Sequence, residues 1–225
     1  MAAMEVEPVS IAVGEATVSG LLAGPPDARA CYVLAHGAGA GMNHPFLGGI
    51  AADLFKRGIA TLRYQFPYME QKSRRPDPPR IAEATVRAAV AEARKHLPKL
   101  PVFAGGKSFG GRMTSQAEAA DPLGVRGIAF LGFPLHPPGA PAITRADHLA
   151  KVTVPMLFLQ GTNDEFATLD LLQQVVRNLH GSAILHLIDG ANHSFHVPAK
   201  SGRKDADVMV ELADVMAGWM AGLLR

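Results

Sequence analysis

Apolar, β-branched stretches alternate along the chain with segments whose apolar residues recur every three to four positions. That alternation predicts a mostly parallel sheet covered by helices on both faces, because strands buried on both sides read as continuous apolar runs. Strands are expected at Cys31–Ala35, Ile59–Tyr64, Pro101–Gly105, Gly127–Leu131, Pro155–Gln160 and Ala183–Ile188. Between the first two, Leu47, Ile50, Ala51, Leu54 and Phe55 fall at helical spacing, and Gly58 supplies the stop. Further helices are expected over 80–96, with Val86 and Val90, over 109–119, and over 168–179, where Leu169, Leu172, Val176 and Leu179 share a face. The last, over 205–223, presents Val208, Leu212, Val215, Met216, Trp219 and Leu223, which puts Trp219 in a core rather than on a ligand platform. Ahead of these, Val9–Val13 and Ala16–Leu22 flank Gly14-Glu15 and predict an antiparallel hairpin at one sheet edge.

Two stretches carry no period. Gln65–Pro79 holds Lys72, Arg74 and Arg75 among four prolines and reads as a solvated loop, placed after a strand's carboxyl end where substrate contact is also open to it. Phe133–Thr153 separates two strands by only 21 residues, too few for a large lid domain. There is no internal repeat and no linker, so residues 1–225 are expected to form one domain.

Composition narrows the class. The chain is 48% hydrophobic and 19% charged without a run of 18 apolar residues, which favours a soluble globular protein over a disordered or membrane-spanning one. A formal charge of +2, evenly spread, argues for neither nucleic acid nor a membrane surface as partner. Met1-Ala2-Ala3-Met4-Glu5 lacks the basic flank and apolar stretch of a secretory signal. The single cysteine, Cys31, opens an apolar run and reads as core; with no cysteine to pair with, it fits a cytoplasmic setting.

The segment with most chemistry in it is Gly105-Gly106-Lys107-Ser108-Phe109-Gly110-Gly111, between an expected strand and an expected helix. Gly106-x-Ser108-x-Gly110 has the form of a nucleophile elbow, in which a sharp turn holds the serine in strained geometry and small residues two positions away avoid collision. A purely structural glycine-rich turn is the competing reading. The Gly-Lys-Ser letters do not make a phosphate-binding loop, because Pro101 stands where that motif needs its first glycine.

A nucleophilic serine needs a base, and the base needs an acid to fix its tautomer. On an elbow fold the chain order is serine, acid, histidine. Asp164, directly after the strand at Pro155–Gln160, is the candidate acid, with Glu165 as a weaker neighbour. His193, between the last strand and last helix, is the candidate base, and His196 is its rival. The developing oxyanion needs two amides. Phe109 N–H, first in its helix, is one; the loop His36-Gly37-Ala38-Gly39-Ala40-Gly41 should give the other, Ala38 before Gly39. As a dinucleotide fingerprint that loop fails at Met42, where a third small residue is required. Met42, Phe46 and Met69 are candidate substrate contacts, each equally readable as core. No H-E-x-x-H or comparable spacing suggests a metal site.

The set Ala35–Gly41, Gly106–Gly111, Asp164 and His193 resembles the α/β-hydrolase superfamily, with a small dienelactone-hydrolase-like core lacking a large cap. Phe66-Pro67-Tyr68-Met69, Gly132–Gly139 and Gln160–Asp164 are similar to the branch that contains testis-expressed α/β-hydrolase-like proteins and a chromatin-complex subunit. The resemblance spans about residues 30–200 and implies a serine hydrolase with the triad Ser108, Asp164 and His193, no cofactor, and a small-molecule ester as substrate. Dienelactone hydrolases proper use a cysteine nucleophile; the serine here argues against dienelactone itself. Because the related subunit serves as a scaffold, a binding protein that keeps the fold without catalysis is the alternative. A further alternative has Lys72, Arg74, Arg75 and Arg80 recruit an acidic partner or a carboxylate substrate.

Overall fold

The structure is a computed structural model and describes residues 3–225; Met1 and Ala2, the start of the segment read above for a leader, lie outside the described residues. The strands are β1 (Glu7–Val13), β2 (Ala16–Ala23), β3 (Ala30–Ala35), β4 (Ile59–Tyr64), β5 (Val102–Lys107), β6 (Ile128–Leu131), β7 (Met156–Gly161) and β8 (Ala183–Ile188). All eight belong to one sheet, in the order β1-β2-β4-β3-β5-β6-β7-β8. β1 and β2 form the antiparallel edge hairpin, β2 runs antiparallel to β4, and the strands from β3 onward are mutually parallel.

The helices are α1 (Pro45–Phe55), α2 (Pro67–Glu70), α3 (Pro79–His96), α4 (Phe109–Ala120), α5 (Leu169–Asn178) and α6 (Asp205–Gly222). Alternate residues of β3 show how the layers form, since successive side chains of a strand point to opposite faces. Ala30, Tyr32 and Leu34 join α1 and α6 through Leu47, Ile50, Val208, Leu212 and Met216. Cys31, Val33 and Ala35 join α3 and α4 on the other face through Val86, Val90, Met113 and Ala117. Full burial pushes the Cys31 thiol up to about 12, so it stays an inert core group. Trp219 packs its ring 5.6 Å from Phe103, within the α6 layer.

Departures from the sequence reading are local. α2 and a 3₁₀ segment at Thr144–Lys151 occupy the two stretches read as irregular; both are too short or too tightly wound to show a 3.6-residue period. β5 runs on past Gly105 to Lys107, because its bare glycines let the β3 and β6 main chains close in on either side. On α5, Leu172 and Val175 are buried, and Val176 and Leu179 of the expected face pack partly buried against the core; only Val175 was not foreseen. Residues 132–155, between β6 and β7, carry no cap domain.

Candidate active site

β4 and β5 flank β3, so the chain leaves β3 and β5 toward opposite faces and a crevice opens at their carboxyl ends, the usual ligand position in open α/β sheets. Ser108 sits there, between β5 and α4, at φ 49° and ψ −116°. That backbone is costly for a residue with a Cβ and is held by its surroundings. Gly106 has φ 152°, and a Cβ on it would stand 2.2 Å from the Ala35 carbonyl oxygen; one on Gly110 would stand 2.5 Å from that of His36. The glycines are therefore what lets the elbow press against the end of β3.

His193 Nε2 lies 2.8 Å from Ser108 Oγ, and its Nδ1 lies 2.7 Å from Asp164 Oδ2. A carboxylate only accepts, so Nδ1 carries the proton and Nε2 is left to accept from the serine hydroxyl. Asp164 is fixed in turn: its Oδ1 accepts from the Phe166 amide at 2.8 Å, and its Oδ2 accepts from Gln160 Nε2. The other Gln160 amide atom accepts from Phe133 N at 2.8 Å, which anchors the acid to both β7 and the turn after β6. Phe166 covers the imidazole at a ring separation of 4.4 Å. The rivals lie elsewhere: His196 is exposed and paired with Asp205, and Glu165 is exposed.

The glycine loop after β3 is tethered by the segment after β4. Gln65 Oε1 accepts from Met42 N at 2.8 Å, and Tyr68 Oη accepts from Gly39 N at 3.0 Å. Phe66 N donates to His36 Nε2 at 3.1 Å. Burial lowers His36 to about 4, which keeps its ring neutral and Nε2 free to accept while Nδ1 donates to the Gly37 carbonyl. Gly39 thus spends its N–H on Tyr68. Among the described residues the Ala38 and Phe109 amides donate to no protein group.

A cavity of about 280 Å³ opens over Ser108 and His193, walled by Ala38, Ala40, His44, Phe46, Leu47, Lys107, Phe166 and Ser194. Phe46 stacks on Phe195 at 5.6 Å. Of the other expected contacts, Met42 is buried beside the loop and Met69 packs against the core, both outside the cavity lining. Lys72, Arg74, Arg75 and Arg80 are exposed and line no part of this cavity. Sequence reading gave no site role to Gln160, Tyr68, His44, Phe166 and Ser194, although Tyr68 and Gln160 stand in motifs that carry the family resemblance. His44 carried a local signal of its own, standing before Pro45 at a helix start, where its Nδ1 accepts from Phe46 N at 3.2 Å.

A strand–elbow–helix serine beneath a lidless crevice, on a sheet of this order, defines an α/β-hydrolase fold. The chain belongs to the family described as alpha/beta hydrolase domain, whose model matches residues 28–221. It is similar to a dienelactone hydrolase from Anabaena variabilis, 22% identical, with 99% of each chain covered and a TM-score of 0.79. A serine hydrolase without lid from Xanthomonas campestris is 20% identical, with 96% of this chain and 95% of that one covered and a TM-score of 0.75. A cold-adapted esterase from an Arctic intertidal metagenomic library is 20% identical over 94% of each chain, with a TM-score of 0.66. At these identities the likeness speaks for the fold.

Proposed function

We propose that the chain is a serine hydrolase that cleaves small carboxylic esters through a covalent acyl-enzyme. The observation that carries this reading is the continuous hydrogen-bonded path from Ser108 Oγ through His193 to the buried Asp164, at 2.8 Å and 2.7 Å. Ser108 attacks the carbonyl while His193 takes its proton; the Phe109 and Ala38 amides receive the oxyanion. His193 then returns the proton to the leaving alcohol and activates water to release the acid. Phe46, Leu47 and Phe166 give the cavity apolar walls, and among the described residues no lid closes over it, which suits short or exposed acyl groups. Thioesters would be attacked by the same groups. The lidless serine hydrolase and the esterase among the similar structures support the reading by analogy of fold. Within the family we place the chain beside the testis-expressed α/β-hydrolase-like branch, on the motifs Phe66–Met69, Gly132–Gly139 and Gln160–Asp164.

A panel of p-nitrophenyl esters of increasing acyl length tests this. Hydrolysis that favours short chains and falls by about 10³-fold or more in Ser108→Ala is expected. Equal turnover by the purified variant would overturn the reading.

A further inference from the structure

Lys107 immediately precedes the candidate nucleophile and is only 9% exposed. It ends β5 and lies buried at the strand's end, just before the turn that lifts Ser108 into the crevice. A buried ammonium is costly unless something compensates it. Here its Nζ donates to the main-chain carbonyl of His193 at 2.6 Å, across 86 residues of sequence, and lies 5.4 Å from the Phe195 ring centroid. The space it occupies exists because residue 132 is glycine. A Cβ there would come within 3.0 Å of Lys107 Nζ and 3.4 Å of His193 Nδ1, and the backbone has φ 74°.

Resting on the hydrolase reading, we propose that Lys107 is a positioning residue: it ties the loop that bears the base to the strand that bears the nucleophile, and supplies the cation that balances buried Asp164. The charged and titratable groups facing it are Asp164, from the loop after β7, and His193, from the loop after β8; Gly132 and Phe195 present none. Desolvation lowers Lys107 to about 8, and the Asp164 carboxylate opposes that shift, so the ammonium persists at neutral pH. Without the cation, Asp164 would face His193 alone and draw a second proton onto the imidazole, leaving less free base. With it, carboxylate and ammonium offset each other beside the imidazole. Lys107 itself lines the cavity over Ser108, and through Phe195, which stacks on Phe46, the same tie reaches a second part of its wall.

Lys107→Met and Lys107→Gln separate the two contributions. In Lys107→Met, kcat should fall at least about tenfold with KM within about twofold, and the acidic limb of the kcat/KM profile should move to higher pH. Lys107→Gln keeps an N–H donor, one bond shorter, without charge; it should recover part of kcat while keeping the displaced limb. If Lys107→Met does not fold, the limb in Lys107→Gln decides alone. Wild-type kcat and an unmoved limb in folded variants would overturn the proposal. Deuterium uptake by residues 189–197 reads the tie without turnover: faster exchange in Lys107→Met supports it and unchanged exchange refutes it. An inactive wild type would sink the hydrolase reading separately.

Discussion

The two walls of the crevice are built by different means. On one side, Ser108, Asp164 and His193 stand in the turns after β5, β7 and β8, so strand ends and the bare glycines of the elbow set their positions, with side-chain ties from Gln160 and Lys107 added to that frame. On the other, the loop over residues 36–42 is held by groups from a separate segment, Gln65, Phe66 and Tyr68, each through a hydrogen bond to or from the loop. Backbone placement is stiff and costs much to disturb; side-chain tethering is divisible, and each tie is worth about 1 kcal/mol. Perturbing the first wall should therefore abolish function or folding, and perturbing the second should only attenuate it.

The largest effect belongs to the first wall. Asp164→Asn should lower kcat by about 10³–10⁴-fold with little change in KM, because the amide favours the wrong imidazole tautomer, and steady-state kinetics on the preferred ester would show it. Next comes the elbow. Gly106→Ala must clear an oxygen 2.2 Å away and adopt φ 152°, so urea unfolding should report a loss of about 3 kcal/mol or more. A loss under about 1 kcal/mol would mean that the elbow adapts, and the contrast between the walls would dissolve.

The buried cation gives a smaller, pH-dependent effect. Lys107 titrates at about 8 in the folded chain against 10.5 as an ordinary lysine, so between those values the unfolded state binds more protons. Stability of wild type relative to Lys107→Met should accordingly rise from pH 8 to 10.5, by on the order of 1–3 kcal/mol, and level off above. Paired thermal melts across that range check the sign. Smallest is Tyr68→Phe, which frees the Gly39 amide: kcat should fall about three- to tenfold with stability changed by about 1 kcal/mol. A loss as large as that of Asp164→Asn would make Tyr68 part of the reacting machinery and erase the difference between the two walls.

The same division explains what was legible in the sequence. Apolar runs fixed all six parallel strands to within two residues, because a doubly covered strand has no polar face to confuse the pattern. The elbow announced Ser108 through its glycines, and strand ends then pointed to Asp164 and His193. Gln160, Tyr68 and Lys107 were silent in their roles, since each acts on a main-chain or carboxylate group distant in sequence and no local spacing encodes the partner. Of the three candidate contacts near the site in sequence, Phe46 lines the cavity, whereas Met42 is buried and Met69, on α2, packs against the core; His44 joins Phe46 in the wall.

The central claim is that Ser108 is a nucleophile activated by His193. Its most direct measurement is intact and peptide mass spectrometry after exposure to a fluorophosphonate at neutral pH. One adduct per chain, on the peptide bearing Ser108 and abolished in His193→Ala, is the predicted result. An unmodified wild-type chain that is correctly folded, or an adduct that survives in Ser108→Ala, would contradict it.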